Sequence, residues 1–330
     1  MVTQMDVARR AGVARRTVSN VVTGFPYVSD DVRARVQQAI AELGYVPNRA
    51  AQQLRTGHSG VVALVVPEMG VGYFGELCTL IVEEAAAHGI GTVVAQTHGI
   101  REREMAEIER LIALQPDGLI VSPLELTSAD IGSIGGRVGL ALIGEHFAGS
   151  GVGSIAVDNI AASEAVVGHL IHSGCARIAY VGVAGPAPRF NELRRTGYTA
   201  ALRAAGLPAV REAHAADFTA RDGYDAGRAL ADRIAGGEEI DAVFCVTDEV
   251  AIGVLRALHD AGLRVPADIA LAGFDDITEG QYSIPRLTTI APDKRGIAQR
   301  AVALVRGENA RTDPVDFRLV ERESTQRASA

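Results

Sequence analysis

From residue 61 onward, short continuous apolar runs alternate with longer amphipathic stretches, and that rhythm leaves few folds open. The apolar runs fall at 61–66, 91–95, 118–121, 138–143, 155–157, 178–183, 242–246 and 269–274; helical patterns occupy 76–88, 102–114, 160–173, 191–205, 223–235 and 249–261. A strand that is apolar throughout needs cover on both faces, and parallel neighbours need a crossover, which the helical stretches supply. The body therefore reads as α/β, with doubly wound parallel sheets. Its elements exceed one compact sheet, so two lobes are expected, dividing near Asp158, with a ligand held in the cleft at the carboxyl ends of their strands.

The first 56 residues follow a different period. Thr3 is placed to cap a first helix, Asp6 completes an aspartate form of the capping box, and Val7, Ala8 and Ala11 share one face. Gly12 breaks that helix. Over residues 15–23, helical steps gather Val18, Val21 and Val22 into an apolar arc and leave Arg15, Arg16, Ser19 and Asn20 on the opposite one. Ser29 is placed to cap a third helix, Asp30 and Asp31 suit its positive end, and Gly44 is a C′ stop ahead of Tyr45 and Pro47. This is an all-α helix-turn-helix unit whose polar, basic arc is free to face base edges. The charge distribution agrees. Residues 1–58 hold eight Arg, no Lys and four acids, a balance of +4, while the whole chain stands at -8 and the remainder at -12. A basic footprint confined to one end fits a duplex contact there and nowhere else.

Other classes are poorly served. No run of 18 apolar residues occurs and the amino terminus is polar and basic, so neither a membrane span nor an export signal is read, and the expected location is the cytoplasm. Cys78, Cys175 and Cys245 are odd in number and widely spaced, which suits buried small hydrophobes better than disulfides or a zinc ribbon. Gly70-Val71-Gly72-Tyr73-Phe74-Gly75 matches a dinucleotide fingerprint, yet Pro67-Glu68-Met69 separate it from its strand, and the second strand ends Gln96-Thr97-His98 without a ribose-binding acid. A nicotinamide-dependent enzyme is thereby disfavoured. His169 and His172 lack a third metal ligand at useful spacing, and neither a G-x-S-x-G elbow nor a P-loop is present. No catalytic residue, metal or cofactor is expected. Asp275 and Asp276 follow a buried run, so Asp275 is well placed to accept a ligand's hydrogen bond.

The order and spacing of Asp6-Val7-Ala8, Ala11-Gly12-Val13, Thr17-Val18-Ser19, Val28-Ser29, Leu43-Gly44-Tyr45 and Pro47-Asn48 resemble the lactose-repressor/galactose-repressor (LacI/GalR) family of bacterial transcription regulators. The likeness continues through Val157-Asp158-Asn159, His169-Leu170-Ile171, Thr247-Asp248, Gly262-Leu263-Arg264-Val265-Pro266, Gly273-Phe274-Asp275-Asp276 and Leu287-Thr288-Thr289-Ile290, almost end to end. It implies a body folded like periplasmic sugar-binding proteins. It also implies a homodimer, with a tetramer left open, that reads a pseudo-palindromic operator in double-stranded DNA with one recognition helix per half-site. Arg15 and Arg16 would discriminate bases, with Asn20 a third reader, since arginine pairs with guanine and asparagine with adenine. Thr17 and Ser19 would be positioning residues, contacting phosphates or packing. Asn48, Arg49, Ala51 and Leu54 would belong to a hinge helix in the minor groove, Leu54 acting as a wedge.

For a small-molecule effector the resemblance points to Tyr73, Phe74, Arg194, Phe218, Asp248 and Asp275. A sugar is the default ligand, with a nucleobase or other metabolite as the alternative; a freestanding sugar-binding protein would share the lobes but have no use for Arg15, Arg16 and Leu54. The implied domains are a headpiece at 1–47, a hinge and linker at 48–58, and an effector and dimerisation body at 59–330. Within the body, a first lobe spans about 59–158 and 292–320, and a second about 159–291 and 321–330. Two departures stand out. Ala14 replaces the family's usual serine, removing a helix cap at a cost of about 1 kcal/mol, and Asn20 stands where many members carry arginine.

Overall fold

The structure is a computed structural model that describes residues 2–46, 57–70, 72–145, 151–184, 188–210, 212–308 and 314–326. The chain forms two compact units, Met1–Gly60 and Val61–Ala330. In the first, α1 (Gln4–Ala11), α2 (Arg15–Val22) and α3 (Asp30–Leu43) enclose a small core of Val7, Val18, Val21, Val36 and Tyr45. The expected capping box is present, with Thr3 N–H donating to Asp6 Oδ2 at 2.9 Å and Asp6 N–H donating to Thr3 Oγ1 at 3.4 Å. Gly12 and Gly44 end their helices at φ +66° and +59°, where a side chain would be strained. Ser29 occupies the cap position of α3, but its side chain makes no capping bond.

The second unit begins with a parallel sheet of β1 (Val61–Val66), β2 (Gly91–Gln96), β3 (Gly118–Val121), β4 (Leu140–Ile143) and β5 (Ser154–Ile155), ordered β2-β1-β3-β4-β5. The alternation of β1 shows why the run must be apolar on both sides. Val62, Leu64 and Val66 pack with α4 (Gly72–Ala87), whereas Ala63 and Val65 pack against α5 (Arg101–Ile112) and α6 (Ser128–Gly135) on the opposite face.

After α7 (Asn159–His172), the chain builds a second sheet. It contains β6 (Ile178–Val183), β7 (Ala213–Ala215), β8 (Ala242–Cys245), β9 (Ala270–Phe274), β10 (Thr288–Pro292) and β11 (Phe317–Val320), ordered β11-β10-β9-β8-β6-β7. Its helices are α8 (Arg189–Ala204), α9 (Ala220–Ala235), α10 (Asp248–Asp260) and the short α11 (Thr278–Gln281). The chain then returns to the first sheet through α12 (Lys294–Val305), whose Ile297, Ala301 and Val302 share the core of β1.

The expected lobe boundary at 320 lies too late. Phe317–Val320 pairs antiparallel with β10, so the chain rejoins the second sheet before that point. Cys175 and Cys245 are buried and Cys78 is half-buried, all three as thiols. No helix among the described residues is long and apolar enough to cross a membrane.

Candidate functional site

In the amino-terminal unit, α2 turns Val18 and Val21 inward and leaves Arg15 and Arg16 exposed. Thr17, Ser19 and Asn20 are half-buried, and Ser19 O accepts from Thr23 Oγ1 at 2.9 Å. Arg15, Arg16, Ser19 and Asn20 thus share one helical arc, with Thr17 at its margin. Ala14 is the N-cap residue and makes no side-chain bond, leaving the first amides of α2 uncapped. Asn48, Arg49, Ala51 and Leu54 lie outside the described residues.

In the second unit, a cleft of about 250 Å³ opens at the carboxyl ends of strands from both sheets. Several lining groups sit on segments that follow a strand. Tyr73 and Phe74 lie in the first turn of α4 after β1, and their rings meet edge to face at 5.3 Å. Phe190 and Arg194 stand one turn apart on α8 after β6, and Phe218 lies between β7 and α9, its ring 5.1 Å from that of Phe190. Asp275 follows β9 directly.

Arg194 organises the polar side. Its Nη1 donates to Val246 O at 2.6 Å, Nε to Asn159 Oδ1 at 2.8 Å, and Nη2 to Asp275 Oδ1 at 3.4 Å. The guanidinium also lies over the Phe274 ring, 3.4 Å from its centroid. Asn159 extends the line, donating from Nδ2 to Glu145 Oε1 at 2.9 Å. Burial raises the Asp275 carboxyl to about 6, against the pull of Arg194 and Lys294. It also pushes Glu145 up, with Arg194 and Arg189 opposing, and raises the Tyr73 phenol. These carboxyls, amide and guanidinium on one side, and four aromatic rings around them, can receive a small molecule whose polar edges meet hydrogen-bond partners and whose apolar faces meet rings.

Asp248 does not line this cleft. As the first residue of α10 it is fully buried, accepting from Thr289 Oγ1 at 2.7 Å and from Ile277 N–H at 3.0 Å, and burial together with Asp275 holds its pKa well above the usual range. It braces the turn that carries Asp275. Arg189, exposed at the start of α8, is likewise absent from the lining.

Glu145, Asn159 and Phe190 are lining residues that the sequence reading missed. Each had a signal: Glu145 follows the run 138–143 as Asp275 follows 269–274, Asn159 belongs to the quoted Val157-Asp158-Asn159, and Phe190 precedes Arg194 by one helical turn.

The glycine motif at 70–75 has an opposite electrostatic setting from a phosphate cradle. The Gly72 N–H at the start of α4 donates to Glu249 Oε1 at 3.2 Å, so a carboxylate already occupies the helix terminus. His169 and His172 turn to separate partners, Thr325 Oγ1 at 2.8 Å and Gly168 O at 2.7 Å.

Residues 3–48 match the family described as bacterial regulatory proteins, lacI family, and residues 167–325 match a periplasmic binding protein-like domain. The HTH-type transcriptional regulator GntR of Pseudomonas aeruginosa is 31% identical over 97% of this chain and 94% of its own length. The ribose operon repressor of Escherichia coli is 32% identical over 92% of this chain and 91% of its own. Among solved structures, the lac repressor dimer bound to operator and the anti-inducer ONPF superposes with a TM-score of 0.84 at 28% identity, covering 98% of this chain and 99% of that one.

Proposed function

Because the chain belongs to the LacI family and is a DNA-binding transcriptional regulator, not an enzyme, we propose that it acts in the cytoplasm as a homodimeric repressor of a pseudo-palindromic operator, with a sugar in the cleft controlling DNA affinity. The observation that carries the effector half is the Glu145–Asn159–Arg194–Asp275 line beside Tyr73, Phe74, Phe190 and Phe218. The cleft volume, about 250 Å³, stands near the small end of ligand sites and suits a monosaccharide. The similarity to a ribose operon repressor and to a lac repressor crystallised with an anti-inducer supports the same class.

On DNA, Arg15 and Arg16 read guanine edges and Asn20 reads adenine, while Thr17 and Ser19 hold phosphates. Asn48, Arg49 and Ala51 enter the minor groove in a hinge helix, and Leu54 unstacks the central step. A helix this short is marginal by itself and needs dimer and DNA contacts to complete it. A sugar that prefers one lobe arrangement over the other by a few kcal/mol shifts operator occupancy tenfold or more.

The test is selection of symmetric duplexes from a random pool by the full chain, followed by operator titration with D-glucose, D-galactose, D-ribose and hypoxanthine present in turn. A symmetric consensus whose affinity responds to one of the sugars is the expected outcome. Response to hypoxanthine alone would replace the sugar by a nucleobase, and the absence of any duplex preference would defeat the operator reading.

A further inference from the structure

The turn after β9 carries the cleft carboxyl on an uncommon backbone. Asp275 has φ +114° and Asp276 φ +50°, both in the left-handed region that L side chains rarely adopt. Two such residues in succession persist only where their surroundings over-determine them. The backbone of this turn is tied at every step. Asp275 N–H donates to Ile290 O at 2.8 Å, Asp276 N–H to Thr289 Oγ1 at 3.4 Å and Ile277 N–H to Asp248 Oδ2 at 3.0 Å, while Asp276 O accepts from Lys294 Nζ at 3.0 Å.

The Asp276 carboxyl is held from the far end of the chain. Arg322 Nη2 donates to its Oδ1 at 2.5 Å, Nη1 donates to Leu287 O at 2.8 Å, and the Arg322 N–H donates to Thr288 Oγ1 at 2.8 Å. Both side chains of this pair are largely buried, at 14% and 10% exposure, so solvent screens the charge-assisted bond little. The other arginine near Asp276, Arg318, is 3.9 Å away and 76% exposed, a contact of little strength.

Arg322 is itself fixed. Ser324 Oγ donates to Leu271 O at 2.6 Å and accepts from Thr288 N–H at 2.8 Å, and Thr325 Oγ1 lies 2.8 Å from both Thr288 Oγ1 and His169 Nε2. Residues 322–325 thus form a strap bound into the second sheet, with one guanidinium projecting to the turn.

We propose that Arg322 is a positioning residue for the effector cleft: by gripping Asp276 it holds the neighbouring Asp275 carboxyl facing Arg194, and the strap thereby sets effector affinity without touching the effector. This rests on the reading of Asp275 as an effector contact. A merely structural arginine would lower stability and leave the cleft's affinity alone.

Lys294 offers a ligand-free report, because it is the only lysine in the chain and its Nζ has two partners, the Asp276 carbonyl and the Glu76 carboxylate. In a full chain carrying Glu76→Gln, which takes away the carboxylate partner of Lys294, acetylation of Lys294 by sulfo-N-hydroxysuccinimide acetate, followed by mass spectrometry, should be about tenfold faster with Arg322→Met than without it, as expected for loss of the remaining bond to the turn. Acetylation of the α-amino group serves as the unchanged reference.

Arg322→Lys, which keeps a cation, should fall near the chain that retains Arg322. With whichever of D-glucose, D-galactose and D-ribose raises the wild type's melting temperature, Arg322→Met should also weaken binding about tenfold, and Arg322→Lys should restore most of it. Asp276→Asn, close in shape, makes the same measurements if Arg322→Met does not fold.

Unchanged Lys294 acetylation in Arg322→Met, or faster acetylation with undiminished sugar affinity, overturns the proposal. If none of the three sugars shifts the wild type, the sugar reading of the cleft fails, and unchanged acetylation would still separately dismiss Arg322 as the clamp on the turn.

Discussion

Arg194 faces Asp275 at 3.4 Å while its shorter bonds go elsewhere, to Val246 O at 2.6 Å and Asn159 Oδ1 at 2.8 Å. The ion pair is the loosest contact of the guanidinium, so a ligand hydroxyl can join Asp275 without first breaking a short bond.

That arrangement makes effector binding depend on pH. Burial raises Asp275 to about 6, so its ionised form is penalised in the fold; the penalty is full above about 6 and is relieved as pH falls toward the ordinary carboxyl value. This group therefore makes the unliganded protein more stable at lower pH. A sugar hydroxyl donating to Asp275 needs the carboxylate, so affinity should have the opposite trend, declining as pH drops through about 6 by up to roughly tenfold per unit. Calorimetric titration between about pH 5 and pH 8 checks the sign. A flat profile would remove the ionised carboxylate from recognition.

Asp248 should behave as a brace. In Asp248→Ala the Thr289 hydroxyl and the Ile277 N–H lose their buried acceptor, each at roughly 1–3 kcal/mol. The expected result is a melting temperature lowered by several degrees, with effector affinity weakened through the turn at 275–277. Wild-type stability combined with abolished binding would return Asp248 to direct ligand contact.

The contrast between Asp248 and Asp275 shows what a sequence can disclose. Strands β1, β3, β6, β8 and β9 are legible because burial on both faces keeps them apolar. Strand β10 escapes the same test: Thr288 and Thr289 are polar yet fully buried, satisfied by Ser324, Thr325 and Asp248. Ala213–Ala215 has an exposed histidine at its centre, and Phe317–Val320 is an edge strand only partly covered. At such places the partner decides the structure, and hydropathy does not reveal partners. The cleft follows the same logic. The position after a buried run marks Asp275 and marks Glu145 equally well, whereas the inward turn of Asp248 depends on Thr289, forty-one residues away in sequence.

The uncapped start of α2 offers a gain-of-stability test. Ala14 already has the extended backbone of a cap, φ -69° and ψ 150°, and lacks only a side-chain acceptor. Ala14→Ser should stabilise α2 by about 1 kcal/mol. Hydrogen exchange of the α2 amides that open locally should then slow about fivefold, with the second unit unaffected. Exchange at the wild-type rate would mean that the serine hydroxyl does not reach the amides of Arg16 or Thr17.

Base readout can be separated from phosphate contact at Arg16. The side chain is exposed on the same arc as Arg15 and Asn20, and no hydrogen bond to another described residue ties it down. Bidentate pairing with a guanine would make Arg16→Ala lose roughly 1–3 kcal/mol on the selected duplex and much less on a duplex changed at that one position. Phosphate contact would instead weaken every duplex alike and reduce the salt dependence of binding by about one unit of slope. Equilibrium titrations of wild type and variant against single-position substitutions, at two salt concentrations, distinguish the two. Uniform weakening would move Arg16 from the readers to the residues that hold the backbone, leaving Arg15 and Asn20 to account for specificity.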